Sequence, residues 1–170
     1  MSDNDKRKDL NALLVFDSRC PRTERIAHTI SSVLENGGRV HVVDSETNHA
    51  INLAGINMLI VGSPTRRRRP SGAIRSFLAS IPAETLHGLP LATYDVRARM
   101  PGWVTGSAAR TLAGDLRKKG GQPLMPAESF FTSLGSNLDE GELERAATWA
   151  GTLHKMHRAR RVFGRSGSPR

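Results

Sequence analysis

The feature that most constrains this chain is the stretch 12–24, which reads ALLVFDSRCPRTE. Its first five residues form a continuous apolar run, as expected for a short strand that is buried on both faces. A polar, basic loop follows, and Thr23 then opens a segment with apolar residues at helical spacing, positions 26, 27, 30, 33 and 34. This order of strand, tight loop and helix start places free backbone N–H groups and the helix dipole where they can bind an anion.

The side chains of this loop favour a phosphate as that anion. Ser18 and Thr23 supply hydroxyl donors, and Arg19 and Arg22 supply positive charge. An ordinary strand-to-helix turn is the alternative, with solvated arginines and Thr23 as the helix cap. The two interpretations are compatible, because a capping residue can also face a bound anion.

The remainder of the chain alternates between strand and helix patterns. Strands are predicted at 12–16, 39–43, 57–61, 91–94 and 129–134, and helices at 23–36, 72–80, 107–119 and 139–157. Alternation of this kind predicts an α/β fold with a parallel sheet and helices on both faces. Ligands of such sheets bind at the carboxyl ends of the strands. That edge brings together a first loop (17–23), a second loop (62–71) and a third loop (95–106).

Length, charge and cysteine usage predict the domain organisation and location. A chain of 170 residues fits one domain, predicted at 10–157, after a disordered lead-in at 1–9 and before a basic flexible tail at 158–170. The net charge of +9 is concentrated in four consecutive arginines, 66–69, and in residues 154–170. A single cysteine, Cys20, excludes an internal disulfide and is typical of a cytoplasmic protein. Neither a membrane span nor a secretory signal is recognisable, so we expect no membrane partner.

The three loops, in this order, resemble those of the flavodoxin family. Residues 18–24 resemble the family's phosphate loop, with Pro21 in place of the usual glycine. Residues 62–65 (GSPT) resemble its G-x-P-T stretch, and residues 93–97 (TYDVR) stand where the family wraps the isoalloxazine ring. The resemblance covers about residues 10–155. It implies a flavodoxin-like three-layer sandwich with a five-stranded parallel sheet of order 2-1-3-4-5.

The resemblance also implies non-covalent binding of FMN and a role in electron transfer. The residues it places at the cofactor are Ser18, Arg19, Cys20, Pro21, Arg22, Thr23, Ser63, Pro64, Thr65, Arg66, Tyr94, Asp95, Val96, Arg97, Gly102 and Trp103. Tyr94 and Trp103 are the candidates for flavin contact, with packing against the sheet edge as the alternative. No residue is an obvious acid, base or nucleophile, so an electron carrier with redox partner proteins is expected rather than a self-sufficient enzyme.

Pro21 changes the expected strength of phosphate binding. Proline lacks the backbone N–H and fixes φ near −65°, so one phosphate donor is lost. A hydrogen bond to a charged group contributes about 1.5–3 kcal/mol. Charge-assisted bonds from Arg19 and Arg22 would offset part of this loss. We therefore expect phosphate binding that is weakened or reshaped.

The arginine run 66–69 leaves a second function open. Charge runs are usually solvated, but arginines beside a flavin would favour its anionic reduced form and raise its potential. The alternative is a flavin-free module that uses this run and the basic tail to hold nucleic acid or an acidic protein. A tyrosine-phosphatase loop is disfavoured, since Ile26 stands where the arginine six residues after Cys20 is required. The six histidines show no metal-ligand spacing.

Overall fold

The computed structural model describes residues 9–47, 52–133 and 137–165 and shows a parallel sheet with helices on both faces. The elements are, in chain order, β1 (Leu10–Phe16), α1 (Pro21–Leu34), β2 (Gly38–Asp44), β3 (Met58–Pro64), α2 (Gly72–Ser80), β4 (Pro90–Ala98), α3 (Gly102–Thr105), α4 (Ala108–Lys118), β5 (Gln122–Pro123), β6 (Glu128–Thr132) and α5 (Glu142–Arg165). A single 3₁₀ turn, Glu35–Gly37, joins α1 to β2.

The strand order confirms the prediction from the sequence and adds one strand. Along the sheet the order is β2-β1-β3-β4-β5, and β6 also pairs with β4. The short β5 pairs with the start of β4, at Pro90 and Leu91, while β6 pairs with its second half, from Tyr94 to Ala98. The predicted fifth strand, 129–134, corresponds to β6, and the short β5 is an additional piece on the same edge of β4. Pro126 lies between the pieces and has no N–H to donate to a continuous ladder.

Two apolar cores, one on each face of the sheet, explain the uninterrupted apolar run of β1. Ala12 and Leu14 pack into the core under α1 and α5, whereas Leu13 and Val15 pack into the core under α2 and α4. Because side chains alternate between the two faces of a strand, a strand covered on both sides needs apolar residues at every position. The central β3 is likewise buried along its whole length.

β4 and α5 extend furthest beyond the predicted bounds. β4 continues through residues 95–98, which we expected to be loop, because the carboxylate of Asp95 is hydrogen-bonded inside the fold. α5 continues to Arg165, so the prediction of a flexible tail from residue 158 is wrong for 158–165. His157 is buried at 2 % exposure, and Arg160 bonds to the backbone of Gly88, which anchors this part of the helix. Residues 1–8, 48–51, 134–136 and 166–170 lie outside the described part of the chain.

Candidate functional site

The three loops meet at the carboxyl ends of the strands, as the sequence predicted. The backbone N–H of Thr65, in the second loop, donates to the carbonyl of Val96, in the third, at 3.0 Å. Gly106 approaches Arg68 so closely that a Cβ at position 106 would lie 2.7 Å from the Cβ of Arg68. Gly106 also has a φ of +66°, which glycine adopts without strain. The second and third loops therefore form one continuous rim.

A buried carboxylate, Asp95, ties these two loops together. Its Oδ2 accepts hydrogen bonds from Thr65 Oγ1 at 3.0 Å, Ser107 Oγ at 2.7 Å and the Ala109 N–H at 3.0 Å. Thr65 Oγ1 in turn accepts the N–H of Ala108 at 2.9 Å. Asp95 is fully buried, and the three bonds to Oδ2 hold the start of α4 against the second loop, while Oδ1 has no hydrogen-bond partner within the described residues. The sequence placed Asp95 at a cofactor, but the described contacts give it the role of a brace.

The first loop is joined to the second through Asp17, which follows β1. Asp17 is 1 % exposed, and its Oδ1 accepts the Arg19 N–H at 3.0 Å. Burial opposes ionisation, but hydrogen bonds from the Ser71 side chain and from Arg19 outweigh it and hold the pKa of Asp17 below its ordinary value. Asp17 is therefore an ionised carboxylate that fastens the first loop to the start of α2.

Two of the side chains expected to hold a phosphate, those of Ser18 and Arg19, are already bonded to carboxylates. The N–H and hydroxyl of Ser18 both donate to Asp44, at 3.3 and 2.6 Å. The guanidinium of Arg19 lies 3.3 Å from Asp17 and 3.1 Å from Glu46. The Cys20 N–H donates to the carbonyl of Asp17 at 3.3 Å.

Carboxylates therefore occupy the surroundings of this loop where the sequence predicted a bound phosphate. The pKa of Asp44 is also held low, since hydrogen bonds from Ser18 and Glu46 outweigh the effect of burial. Pro21 is the first residue of α1 and supplies no N–H. Asp17 and Asp44 were missed by the sequence analysis, although each stands at the carboxyl end of a strand pattern.

Cys20 and Thr23 lie at the start of α1 and face inward. Cys20 is the N-cap residue and is 2 % exposed, and Thr23 is fully buried. Burial raises the pKa of the Cys20 thiol, but contacts with Thr23 and Arg22 outweigh it and lower the pKa below its ordinary value. Thr23 accepts a hydrogen bond at its backbone carbonyl from Tyr94.

The arginine run forms a tight turn at the rim. Arg66 and Arg69 exchange two backbone hydrogen bonds of 2.9 Å, and the two residues between them have positive φ, 47° at Arg67 and 67° at Arg68. Such angles are unfavourable for residues with a Cβ and are usually taken by glycine or asparagine. The turn, α2 and Arg75 line a shallow depression of about 780 Å³. All four arginines of the run are exposed.

Some residues of the third loop are exposed at the rim, and others bond to the rest of the fold. Trp103 lies on α3 and is 77 % exposed, beside Gly102. Arg97 is half-buried: its guanidinium donates to Thr105 Oγ1 at 2.8 Å and lies 4.9 Å from the centre of the Phe131 ring. Trp103 is therefore available for stacking, whereas Arg97 braces α3 against β6.

The ring of Tyr94, for which flavin contact and packing against the sheet edge were the two predictions, lies inside the fold. Tyr94 is fully buried, makes edge contacts with Phe130 and Trp149, and donates its hydroxyl to the carbonyl of Thr23 at 3.2 Å. A Cβ at position 62 would lie 2.0 Å from the Tyr94 ring, so glycine at that position makes room for it. Ser63, Pro64 and Val96 are also buried.

Comparison with solved structures assigns this architecture to a known class. The chain superposes on a flavodoxin from the domain Archaea with a TM-score of 0.69 and 16 % identity, covering 86 % of this chain and 98 % of that one. For a WrbA-like flavodoxin from Agrobacterium tumefaciens the TM-score is 0.71 at 16 % identity, with 88 % and 98 % covered. For oxidised flavodoxin 2 from Bacillus cereus the values are 0.70, 18 %, 85 % and 98 %.

The protein therefore belongs to the α/β class of doubly wound parallel sheets. Within that class it has a flavodoxin-like fold. No protein family model and no curated protein matches the sequence. Within the described residues, no helix has the length and apolarity to cross a membrane, and no group of three metal-ligating side chains is found.

The arrangement fits a flavin better at the ring end than at the phosphate end. The second and third loops form a braced rim that presents an exposed tryptophan and exposed arginines, which suits a planar ring that gains negative charge on reduction. At the first loop, the hydroxyl of Ser18 bonds to Asp44 at the end of β2, and the guanidinium of Arg19 pairs with Asp17 and with Glu46, which follows β2. A phosphate at this loop must displace those carboxylates.

Proposed function

We propose that this protein binds FMN through the ring and acts in electron transfer. The observation that supports the proposal is the bracing of the second and third loops by Asp95 at the edge where such sheets bind ligands. The helix that carries the exposed Trp103 ends at Gly106, which lies against Arg68 of the arginine turn. The cofactor supplies the redox chemistry, and the protein binds and orients it. The phosphate contributes little, because the first loop bonds to its own carboxylates.

The proposed contacts follow from exposure. Trp103 stacks on or borders the ring, and Arg66 and Arg67 lie where they raise its reduction potential by stabilising negative charge. A redox partner protein with an acidic face is the proposed acceptor or donor, since the rim carries four exposed arginines. Cytoplasmic location stays a prediction from the cysteine content.

Titration of the apoprotein with FMN and with riboflavin tests this function. The fluorescence of both flavins is expected to be quenched on binding, with affinities that agree within about threefold, because Ser18 and Arg19 already bond to carboxylates. Trp103→Ala is expected to weaken both flavins by about fivefold to tenfold, which corresponds to one lost stacking contact. Phe163→Ala is the matched control, because Phe163 is also 77 % exposed but lies near the end of α5.

The first loop is tested by removing one of its carboxylates. Asp44→Ala frees the Ser18 donors and removes a negative charge, so the affinity for FMN relative to riboflavin is expected to rise at least about fivefold. Asp115→Ala, which removes a half-exposed acid on α4, is the control. Absence of flavin binding would refute the function, and salt-dependent DNA binding by the colourless protein would favour the flavin-free module instead.

A further inference from the structure

The depression of about 780 Å³ beside the arginine turn carries positive charge on two sides. Three of its arginines come from the second loop and one comes from α2, and the set is Arg66, Arg67, Arg69 and Arg75. No carboxylate is among the described residues that line it. Its volume lies within the range of small-molecule sites, roughly 300–1,000 Å³. The depression is therefore large enough for a small ligand and favours a negatively charged one.

The guanidinium groups of these four arginines have no carboxylate partner within the described part of the chain. In contrast, Arg19, Arg99 and Arg145 pair with carboxylates at 3.3, 2.6 and 2.9 Å. Like charges that are gathered without a counter-charge repel one another. An anion in the depression would remove this repulsion and form charge-assisted hydrogen bonds with the arginines.

The backbone that carries the arginines is closed into a turn and is strained. Arg66 and Arg69 exchange two backbone hydrogen bonds of 2.9 Å, and between them Arg67 has a φ of 47°. Glycine or asparagine adopts such an angle more easily than arginine does. Strained backbone conformations of this kind cluster at functional sites. The strain therefore indicates that the guanidinium of Arg67 serves a purpose at this position.

The floor of the depression is bonded to the core of the fold. Pro70 and Ser71 are buried. The N–H of Ser71 donates to Ser63 Oγ at 3.0 Å, and its hydroxyl accepts the N–H of Ile74 at 3.4 Å. These bonds join the second loop to the start of α2. The backbone positions of the arginines on the two sides are thus set before a ligand binds, which lowers the cost of ordering the site.

The compact arrangement of the arginines favours a diphosphate over a nucleic-acid strand. Residues 66–69 lie in one turn and Arg75 lies on the adjacent helix, so the charges surround one concave site and form no long stripe. A nucleic acid carries its phosphates spread along its axis, whereas the two phosphates of a diphosphate share a bridging oxygen. A guanidinium can bind phosphate oxygens in pairs, so four arginines can hold both phosphates at once.

We infer that this depression binds a diphosphate group, as carried by nucleoside diphosphates and by free pyrophosphate. Arg67 and Arg69 bind the phosphates from the turn, and Arg75 binds them from α2. No aromatic side chain is among the described residues that line the depression, so the site does not select for a base. Binding does not require the flavin, because the third loop and Trp103 take no part in it.

Isothermal titration calorimetry of the flavin-free protein tests this site, in about 0.15 M NaCl and without magnesium. ADP, UDP and inorganic pyrophosphate are each expected to bind saturably, with affinities within about threefold of one another. AMP and inorganic phosphate are expected to bind at least about tenfold more weakly, because a single phosphate reaches fewer of the arginines. In NMR spectra, the backbone amide signals of Gly72 and Arg75 are expected to shift along the same titration curve.

Variants distinguish the site from a general effect of charge. Arg67→Asn keeps the turn, since asparagine tolerates positive φ, and is expected to weaken ADP about fivefold to tenfold, as is Arg75→Gln. Arg158→Gln is the matched control, because it removes an exposed charge on α5 outside the depression, and it should change the affinity less than about twofold. Thermal unfolding monitors the fold of each variant.

Three results would overturn the inference. The first is the absence of saturable binding by ADP and by pyrophosphate. The second is an affinity that is equal for AMP and ADP, or that Arg158→Gln lowers as much as Arg75→Gln does. The third is displacement of ADP by duplex DNA that binds more tightly, which would make the arginine turn a nucleic-acid surface instead.

Discussion

Removing the Asp95 carboxylate should loosen the rim more than any other single change at the site. Asp95→Ala deletes the acceptor of three hydrogen bonds, from Thr65, Ser107 and the Ala109 N–H. The two hydroxyls belong to half-buried residues and can turn toward water, but the N–H of Ala109 is buried and loses its partner. With hydrogen bonds to charged groups at about 1.5–3 kcal/mol and partial compensation by water, the expected loss of stability is about 3–5 kcal/mol.

The assay is urea unfolding at neutral pH followed by circular dichroism. Asp95→Asn keeps one oxygen acceptor and should lose only about 1–2 kcal/mol, so it remains informative if the alanine variant fails to fold. Asp115→Ala removes an acid that pairs with Lys118 at 3.5 Å on the surface of α4, and should change stability by less than about 0.5 kcal/mol. A loss below about 1 kcal/mol for Asp95→Ala would show that the rim does not depend on this brace.

Other predictions concern the first loop, the core under the rim and the arginine turn. Because folding lowers the pKa of Asp17, its carboxylate contributes fully to the free energy of unfolding above the unfolded pKa of 3.8. This contribution is lost as the pH falls through the lower folded pKa. In acid unfolding, the free energy of unfolding of Asp17→Asn should therefore depend less steeply on pH in that range. Gly62→Ala should destabilise by at least about 2 kcal/mol in urea unfolding, since the added methyl meets the Tyr94 ring at 2.0 Å. Tyr94→Phe should lose about 1 kcal/mol with its bond to the carbonyl of Thr23. Arg68→Gly should raise the melting temperature, because it relieves about 1 kcal/mol of strain at a φ of 67°.

Local patterns identified most of the architecture. The apolar runs predicted β1 and β3, and the spacing of Ile74, Phe77 and Leu78 predicted α2 with its observed bounds, because burial imposes these periods on each element separately. The carboxyl-terminal part of β4, residues 95–98, was not predicted as strand, because aspartate is typical of loops. The polar side chain of Asp95 is compatible with a buried strand because Thr65, Ser107 and Ala109 bond to it from other parts of the chain.

For the candidate site too, some features could be predicted from local patterns and others could not. Convergence of the three loops followed from the parallel sheet, because parallel strands place their carboxyl ends at one edge. The strand order itself was implied by the resemblance to flavodoxins. The bonding of the first loop could not be predicted in this way. The sequence indicates Ser18 and Arg19 as phosphate ligands, and only the fold places Asp44 and Glu46 beside them. Tyr94 likewise read as a rim residue until the fold placed it beneath Gly62.

The amino-acid sequence by itself determined the alternating strands and helices, the parallel sheet and the edge at which its loops meet, because those features depend on the hydrophobicity of near neighbours in the chain. The tertiary structure alone decided which polar groups pair with one another, and so whether the first loop offers donors or carboxylates and whether α5 continues past His157. Those outcomes depend on contacts between residues separated by tens of positions, such as Ser18 with Asp44, which no local pattern encodes.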